Sequence, residues 1–216
     1  MNRERFRQNV ERYGLVRAWN MRVMSLLNSW GLEVNYVMTR PLQETDPVRL
    51  DGIDCRLASR EELYLACDSG KVELTRQFVD AALSNDDYCC AAFDDGNLVA
   101  YAWRTGLEAP HAKGTKVVVG EKQRYGYKVF THPEYRGRGI YPRIANLADG
   151  EFIRRGKVDA VSFTASTNYS SLAADKKMGN RILGVALILK IGSWTGAFHS
   201  PGLTKAGFRF VVEDRI

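Results

Sequence analysis

Apolar residues at Phe6, Val10, Tyr13, Val16, Val23, Leu27 and Trp30 recur at spacings near three and four, which predicts one long amphipathic helix over residues 2–30. Gly31 is its stop signal, and Gly14 is a point of weakness or bending within it. A short strand is expected over 32–38. Residues 40–52, with Pro41, Pro47 and acidic side chains, read as a linker and set a boundary near residue 50. Beyond it come a strand over 53–57, helices over 60–68 and 72–83, and a hairpin. In that hairpin, residues 88–93 turn through Asp94-Asp95-Gly96-Asn97 into 98–104. A strand over 124–131 leads through a Gly/Arg-rich loop into a helix reaching about residue 155. A strand over 159–164, a helix over 168–178 and a final strand pair, 181–191 and 208–212, complete the chain. An aromatic, glycine-rich loop over 192–202 separates the last two strands. This order, with a strand-loop-helix step at its centre, predicts an α/β or α+β sheet domain over 51–216, with residues 1–50 as a helical arm and linker.

Composition narrows the class. The 216 residues are 45% hydrophobic and 26% charged, an ordinary globular balance. No uninterrupted apolar run approaches the roughly 18–20 residues of a membrane span, and the opening MNRERFRQNVERYG lacks the apolar core of a secretory signal, so a cytoplasmic location is expected. Cys55, Cys67, Cys89 and Cys90 show no metal-ligand spacing and read as buried free thiols; no metal is expected. The net charge of +6 is concentrated: residues 122–157 hold nine Lys and Arg against Glu134, Asp149 and Glu151. A local basic surface suits a polyanionic ligand, or is simply a solvated helix face. Signatures of nucleic-acid-binding modules are missing from it, so no nucleic-acid partner is expected.

The stretch HPEYRGRGIYPR, residues 132–143, joins a strand to a helix through two glycines and three arginines. Gly137 and Gly139 permit unusual backbone angles and close approach, while Arg136 and Arg138 add charge-assisted hydrogen bonds, a combination that suits phosphate. The P-loop and dinucleotide-binding glycine patterns do not fit it.

What it resembles is the pyrophosphate loop of the GNAT superfamily of acyl-CoA N-acyltransferases, Gln/Arg-x-x-Gly-x-Gly/Ala, here Arg136-Gly137-Arg138-Gly139-Ile140-Tyr141. Thr131-His132-Pro133-Glu134-Tyr135 stands in the place of the family's Val-x-Pro-x-Tyr lead-in. A second landmark is in register: the helix that starts at Asn168 and ends eleven residues later at Gly179. The resemblance implies a mixed, mostly antiparallel splayed sheet flanked by helices, with acetyl-CoA or another acyl-CoA as co-substrate. It implies that the pantetheine arm pairs with the strand at Val129, Phe130 and Thr131, and that the pyrophosphate lies on Arg136 to Tyr141. Asn168 and Ser171 would lie beside the pantetheine arm, although Asn168 is equally a helix cap. The implied chemistry is direct acyl transfer to an amine.

Departures from the family concern catalysis. Where some members carry a strand Glu as base, this chain has Tyr125; where many carry a tyrosine acid, it has Asp175, and both are candidates for proton transfer. Tyr141 replaces a small loop residue and Pro142 removes an N–H; either Arg138 or Arg143 compensates, or Tyr141 turns its ring away and offers only its backbone. The acceptor is an amine, small-molecule or lipid-linked. The N-terminal helix, with six Arg against Glu4 and Glu11, either meets an anionic membrane, packs on its own domain or pairs two subunits. A non-catalytic acyl-CoA sensor or scaffold and a long-chain N-acyl amino acid synthase are the alternative functions.

Overall fold

The structure is a computed structural model that describes residues 3–111 and 114–212; Asn2, with which the expected first helix begins, lies outside the described residues. In chain order its elements are α1 (Arg3–Tyr13), α2 (Leu15–Ser29), β1 (Leu32–Pro41), β2 (Val48–Leu50), β3 (Ile53–Leu57), α3 (Arg60–Ser69), α4 (Arg76–Ser84), β4 (Tyr88–Asp94), β5 (Asn97–Thr105), β6 (Glu108–His111), β7 (Thr115–Val118), β8 (Gln123–Thr131), α5 (Ile140–Ile144), α6 (Asp149–Arg154), β9 (Asp159–Ala165), α7 (Tyr169–Lys177), β10 (Arg181–Ile191), β11 (Trp194–His199), α8 (Pro201–Ala206) and β12 (Arg209–Val212). This is the expected mixed architecture of mostly antiparallel strands flanked by helices. The chain divides into two compact units, one from Arg40–Ala109 and Val119–Ser162, the other from the described residues of Met1–Thr39, Pro110–Val118 and Phe163–Ile216.

In the first unit β8, β5, β4, β3 and β2 pair antiparallel in that order. Local signals set its elements. Ser59 and Glu62 form a reciprocal capping box at the start of α3, and Thr75 caps α4 by accepting from the Phe78 N–H. The β4–β5 hairpin turns at Asp95 and Gly96, both with positive φ, as a two-residue turn requires. Ile53, Cys55, Cys90, Ala92, Val99, Ala100 and Ala102 of the sheet pack on Ile140, Ile144, Leu147, Ala148 and Phe152 to form its core. The single helix expected up to residue 155 is instead two short ones, α5 and α6, separated by a turn at 145–148.

In the second unit β1, β10 and β11 pair antiparallel, and β12 pairs with β7. Two expectations are corrected here. The long helix is two: Phe6 and Trp19 ring centroids lie 5.4 Å apart, whereas thirteen residues along a continuous helix would separate them by about 20 Å. The chain reverses at Gly14, whose φ 84, ψ 161 belong to a region that only glycine occupies comfortably. The expected pairing of 181–191 with 208–212 also gives way. The aromatic stretch read as a loop contains β11, which takes the place beside β10, and α8 carries the chain on to β12.

All four cysteines are free; Cys55, Cys89 and Cys90 are buried and Cys67 is half-buried, with burial raising each thiol pKa.

Candidate functional site

Strand β8 enters the first unit as a fully paired strand and leaves it with one side open. Its parallel ladder with β9 runs from Gln123 to Tyr125 and ends there. Gly126 to Thr131 continue against β5 alone among the described residues. Register shifts within this stretch: Ala102 faces Val129 and Trp103 faces Tyr127, so Lys128 is an extra, bulged residue, with φ 43. Val129, just past the bulge, is 51% exposed. Phe130 stacks on the buried Tyr101, with centroids 5.3 Å apart. Backbone N–H and C=O groups facing away from β5 are open to an extended ligand, as at any unpaired strand edge.

The loop that follows is held from below. The His132 N–H donates to the Val99 carbonyl at 2.9 Å, a single 3₁₀ turn spans Pro133–Tyr135, and the Tyr135 hydroxyl donates to Asp94. Arg136 Nε donates to the Thr131 carbonyl at 3.0 Å, which ties the loop to the end of β8. Gly137 and Gly139 both take positive φ, 79° and 68°, and a β-carbon at either would meet open space. Among the described residues the N–H groups of Gly137, Arg138, Gly139, Ile140 and Tyr141 donate to no backbone carbonyl. Arg136 and Arg138 are exposed, Arg143 is half-buried, and among the described residues none has a carboxylate within ion-pair distance. Arg138 lies over the Tyr135 ring at 4.8 Å, and Arg143 Nη1 donates to the Arg138 carbonyl at 3.3 Å. The question raised by Tyr141 is answered by packing: its ring lies against the hydrophobic core and leaves its backbone to the loop.

Beneath α5 and α6 is a buried polar cluster without a local sequence signature. Asp149, fully buried, accepts from Arg124 Nε and Nη2 at 2.8 and 2.6 Å, from Arg40 Nη1 and Nη2 at 3.2 Å and from the Gln43 N–H at 3.2 Å. Arg104, 1% exposed, donates through Nε and Nη2 to the Ala145 carbonyl, at 3.2 and 3.1 Å. Burial lowers the Arg124 pKa to about 10. These bonds pin the turn between α5 and α6, at the far end of the short helix into which the Arg136–Tyr141 loop leads.

Tyr125 and Tyr127 stack on one another on β8, with centroids 6.1 Å apart, and both are buried. Burial pushes both hydroxyl pKa values up. The Tyr127 hydroxyl donates to Asp87, which also accepts from Asn85 Nδ2 at 3.0 Å. Burial outweighs these hydrogen bonds and raises the Asp87 pKa to about 6. Nothing in the sequence around Asp87 marks this pair, because it joins residues forty positions apart.

The remaining candidates belong to the second unit. Asn168 caps α7, its Oδ1 accepting from the Ser171 N–H at 3.2 Å and from Ser170 Oγ at 3.0 Å. Asp175 is buried on α7, with Oδ2 accepting from Thr164 Oγ1 at 3.1 Å and Oδ1 from Asn180 Nδ2 at 2.9 Å; burial raises its pKa. Among the described residues no group of three or more His, Cys, Asp or Glu is arranged to hold a metal ion.

The family model described as acetyltransferase (GNAT) family matches residues 57–180. Solved structures similar to this chain include one of a GNAT-family protein from Novosphingobium aromaticivorans (19% identity, TM-score 0.49, 72% of this chain and 62% of that one). Two GCN5-related N-acetyltransferases match similarly. One, from Sphaerobacter thermophilus, has 16% identity, TM-score 0.49 and coverage of 82% and 56%. The other, from Kribbella flavida, has 15% identity, TM-score 0.46 and coverage of 82% and 63%. The chain thus spans about three fifths of the length of each of these structures. No curated protein matches it.

Proposed function

The chain belongs to the acetyltransferase (GNAT) family, and from that premise we propose that it is an N-acyltransferase that moves an acyl group, most simply acetyl, from acyl-CoA to an amine. The observation that carries this reading is the run from Val129 to Tyr141. It joins an open strand edge to a loop whose five successive N–H groups have no carbonyl partner among the described residues. An open edge suits the amides of a pantetheine arm; a run of N–H donors without carbonyl partners, with Arg136, Arg138 and Arg143 in the same stretch, suits a pyrophosphate. The proposal assigns the transfer to residues 51–216 and, of the first fifty residues, leaves α1 and α2 as an arm, since β1 pairs with β10 and β2 with β3. Asn168 and Ser171 are carried from the family resemblance as further contacts of the co-substrate.

In the proposed reaction the amine nitrogen attacks the thioester carbonyl carbon. The N–C bond forms, the C–S bond breaks, coenzyme A leaves as thiolate, and one amine proton passes to base or water. The N–H beyond the Lys128 bulge, at Val129, is the donor proposed for the oxyanion. Asp175, with its raised pKa, is the proposed proton donor to the thiolate; Tyr125 is the other proton-transfer candidate. Positioning the two substrates supplies rate whichever side chain moves the proton.

Calorimetry with acetyl-CoA tests the binding half. Micromolar-range binding by the wild type and a roughly tenfold to hundredfold loss in Arg136→Ala and Gly139→Asp are expected; no binding of any acyl-CoA would sink the proposal. Mass spectrometry of a panel of acyl-CoAs and amines tests turnover. Binding without any acylated product would instead establish a sensor, the reading favoured by the burial of Tyr125 and by the Asp175 carboxylate, which accepts a hydrogen bond on each oxygen.

A further inference from the structure

Val16, Trp19, Val23, Leu26 and Trp30 follow one another at steps of three, four, three and four, and all five are exposed, from 48% at Val23 to 83% at Val16. At about 100° per residue they occupy one continuous arc about 80° wide along α2 and its C-cap residue, Trp30. Three other positions on the helix are engaged within the unit. Ala18 is fully buried, Asn20 Nδ2 donates to the Tyr169 hydroxyl at 2.8 Å, and the Arg17 guanidinium lies 5.2 Å from the Tyr169 ring. The exposed stripe also extends past the helix. Lys190 N–H donates to the Gly31 carbonyl at 3.0 Å, which brings the β10–β11 turn, with exposed Ile191 and Trp194, next to Trp30.

Around this stripe the charge has one dominant sign. Helices α1 and α2 carry Arg3, Arg5, Arg7, Arg12, Arg17 and Arg22 against Glu4 and Glu11, and α2 has no acidic residue. We propose that this face is a docking surface for an anionic lipid bilayer, with α2 lying flat in the headgroup region. Aliphatic side chains and two tryptophans suit the boundary between headgroups and acyl chains, and the arginines suit lipid phosphates. A second copy of the chain is the poorer occupant, because a two-fold contact on this face would set the arginines of one subunit against those of the other. No helix of the described residues is long and apolar enough to cross a membrane, so the contact is peripheral. The proposal is independent of acyl transfer.

The test is co-sedimentation of the full chain with vesicles of phosphatidylcholine alone and of phosphatidylcholine with about a quarter phosphatidylglycerol. Light scattering of the free protein accompanies it. Binding at least about tenfold tighter to the anionic vesicles is expected, with a blue shift of tryptophan fluorescence. Two variants separate the contributions: Val16→Glu with Trp30→Glu removes apolar area, and Arg3→Gln with Arg12→Gln removes charge. All four side chains are exposed, and circular dichroism checks that each variant folds. At least a tenfold loss is expected in each. Three results overturn the proposal: no binding to anionic vesicles, binding unaffected by Val16→Glu with Trp30→Glu, or a dimer that this variant dissociates while the wild type leaves vesicles unbound.

Discussion

Asp87 and Asp149 are both buried carboxylates, and their surroundings give them opposite roles in stability. Among the described residues Asp87 has no cationic partner at hydrogen-bond distance, and its pKa of about 6 lies above the usual value near 4. Between about pH 4 and 6 the folded chain therefore holds this proton more tightly than the unfolded chain does. Its contribution to stability is fully present below that window and is lost as pH rises through it, by about 3 kcal/mol in all. Asp87→Asn should remove this slope, read as a smaller difference in denaturation midpoint between pH 4 and 7; a slope equal to wild type would refute the assignment. Asp149 is the counter-ion of two buried guanidinium groups. Asp149→Asn leaves both without a carboxylate and should cost about 3–5 kcal/mol in urea denaturation at pH 7.

Helix and strand boundaries turn on two glycines. At Gly14 the backbone angles that reverse the chain would cost any other residue about 1–3 kcal/mol. Gly14→Ala should therefore favour one continuous helix over residues 3–29. Loss of the Phe6–Trp19 contact, followed by Trp19 fluorescence or by cysteine cross-linking between positions 6 and 19, is the readout. At Gly31 a β-carbon would fall 1.9 Å from the Lys190 carbonyl oxygen, on a backbone with φ 93. Gly31→Ala should lower stability by more than about 3 kcal/mol, seen as a drop in Tm by circular dichroism. The start of α4 was missed: the apolar period points to residue 72, but Thr75 caps a helix that begins at Arg76. The β4–β5 hairpin was legible in sequence because its turn residues lie within four positions of one another. Strand β11 was not: Trp194–His199 contains glycine and threonine among aromatics, and its pairing with β10 makes it a strand. Helical periodicity likewise reads straight through Gly14, since a reversal moves the apolar stripe without erasing it.

Across the whole molecule, charge is the property that composition predicts best. With +6 overall and an equal excess within residues 122–157, coenzyme A affinity should fall several-fold between 50 and 500 mM NaCl in calorimetry, because exposed arginines are screened by salt. An affinity independent of salt would place the phosphates elsewhere. The strand-loop-helix step, the Arg136–Tyr141 loop and the mixed fold were evident from the sequence alone, because glycine angles, hydrophobic period and local charge act over a few residues. The open edge of β8, the bulge at Lys128, the inward turn of Tyr141, the Asp87–Tyr127 pair and the Arg40–Arg124–Asp149 cluster were decided only by tertiary structure. Each depends on which distant segments share one interior, where burial and pairing set what a side chain or backbone group is left to do.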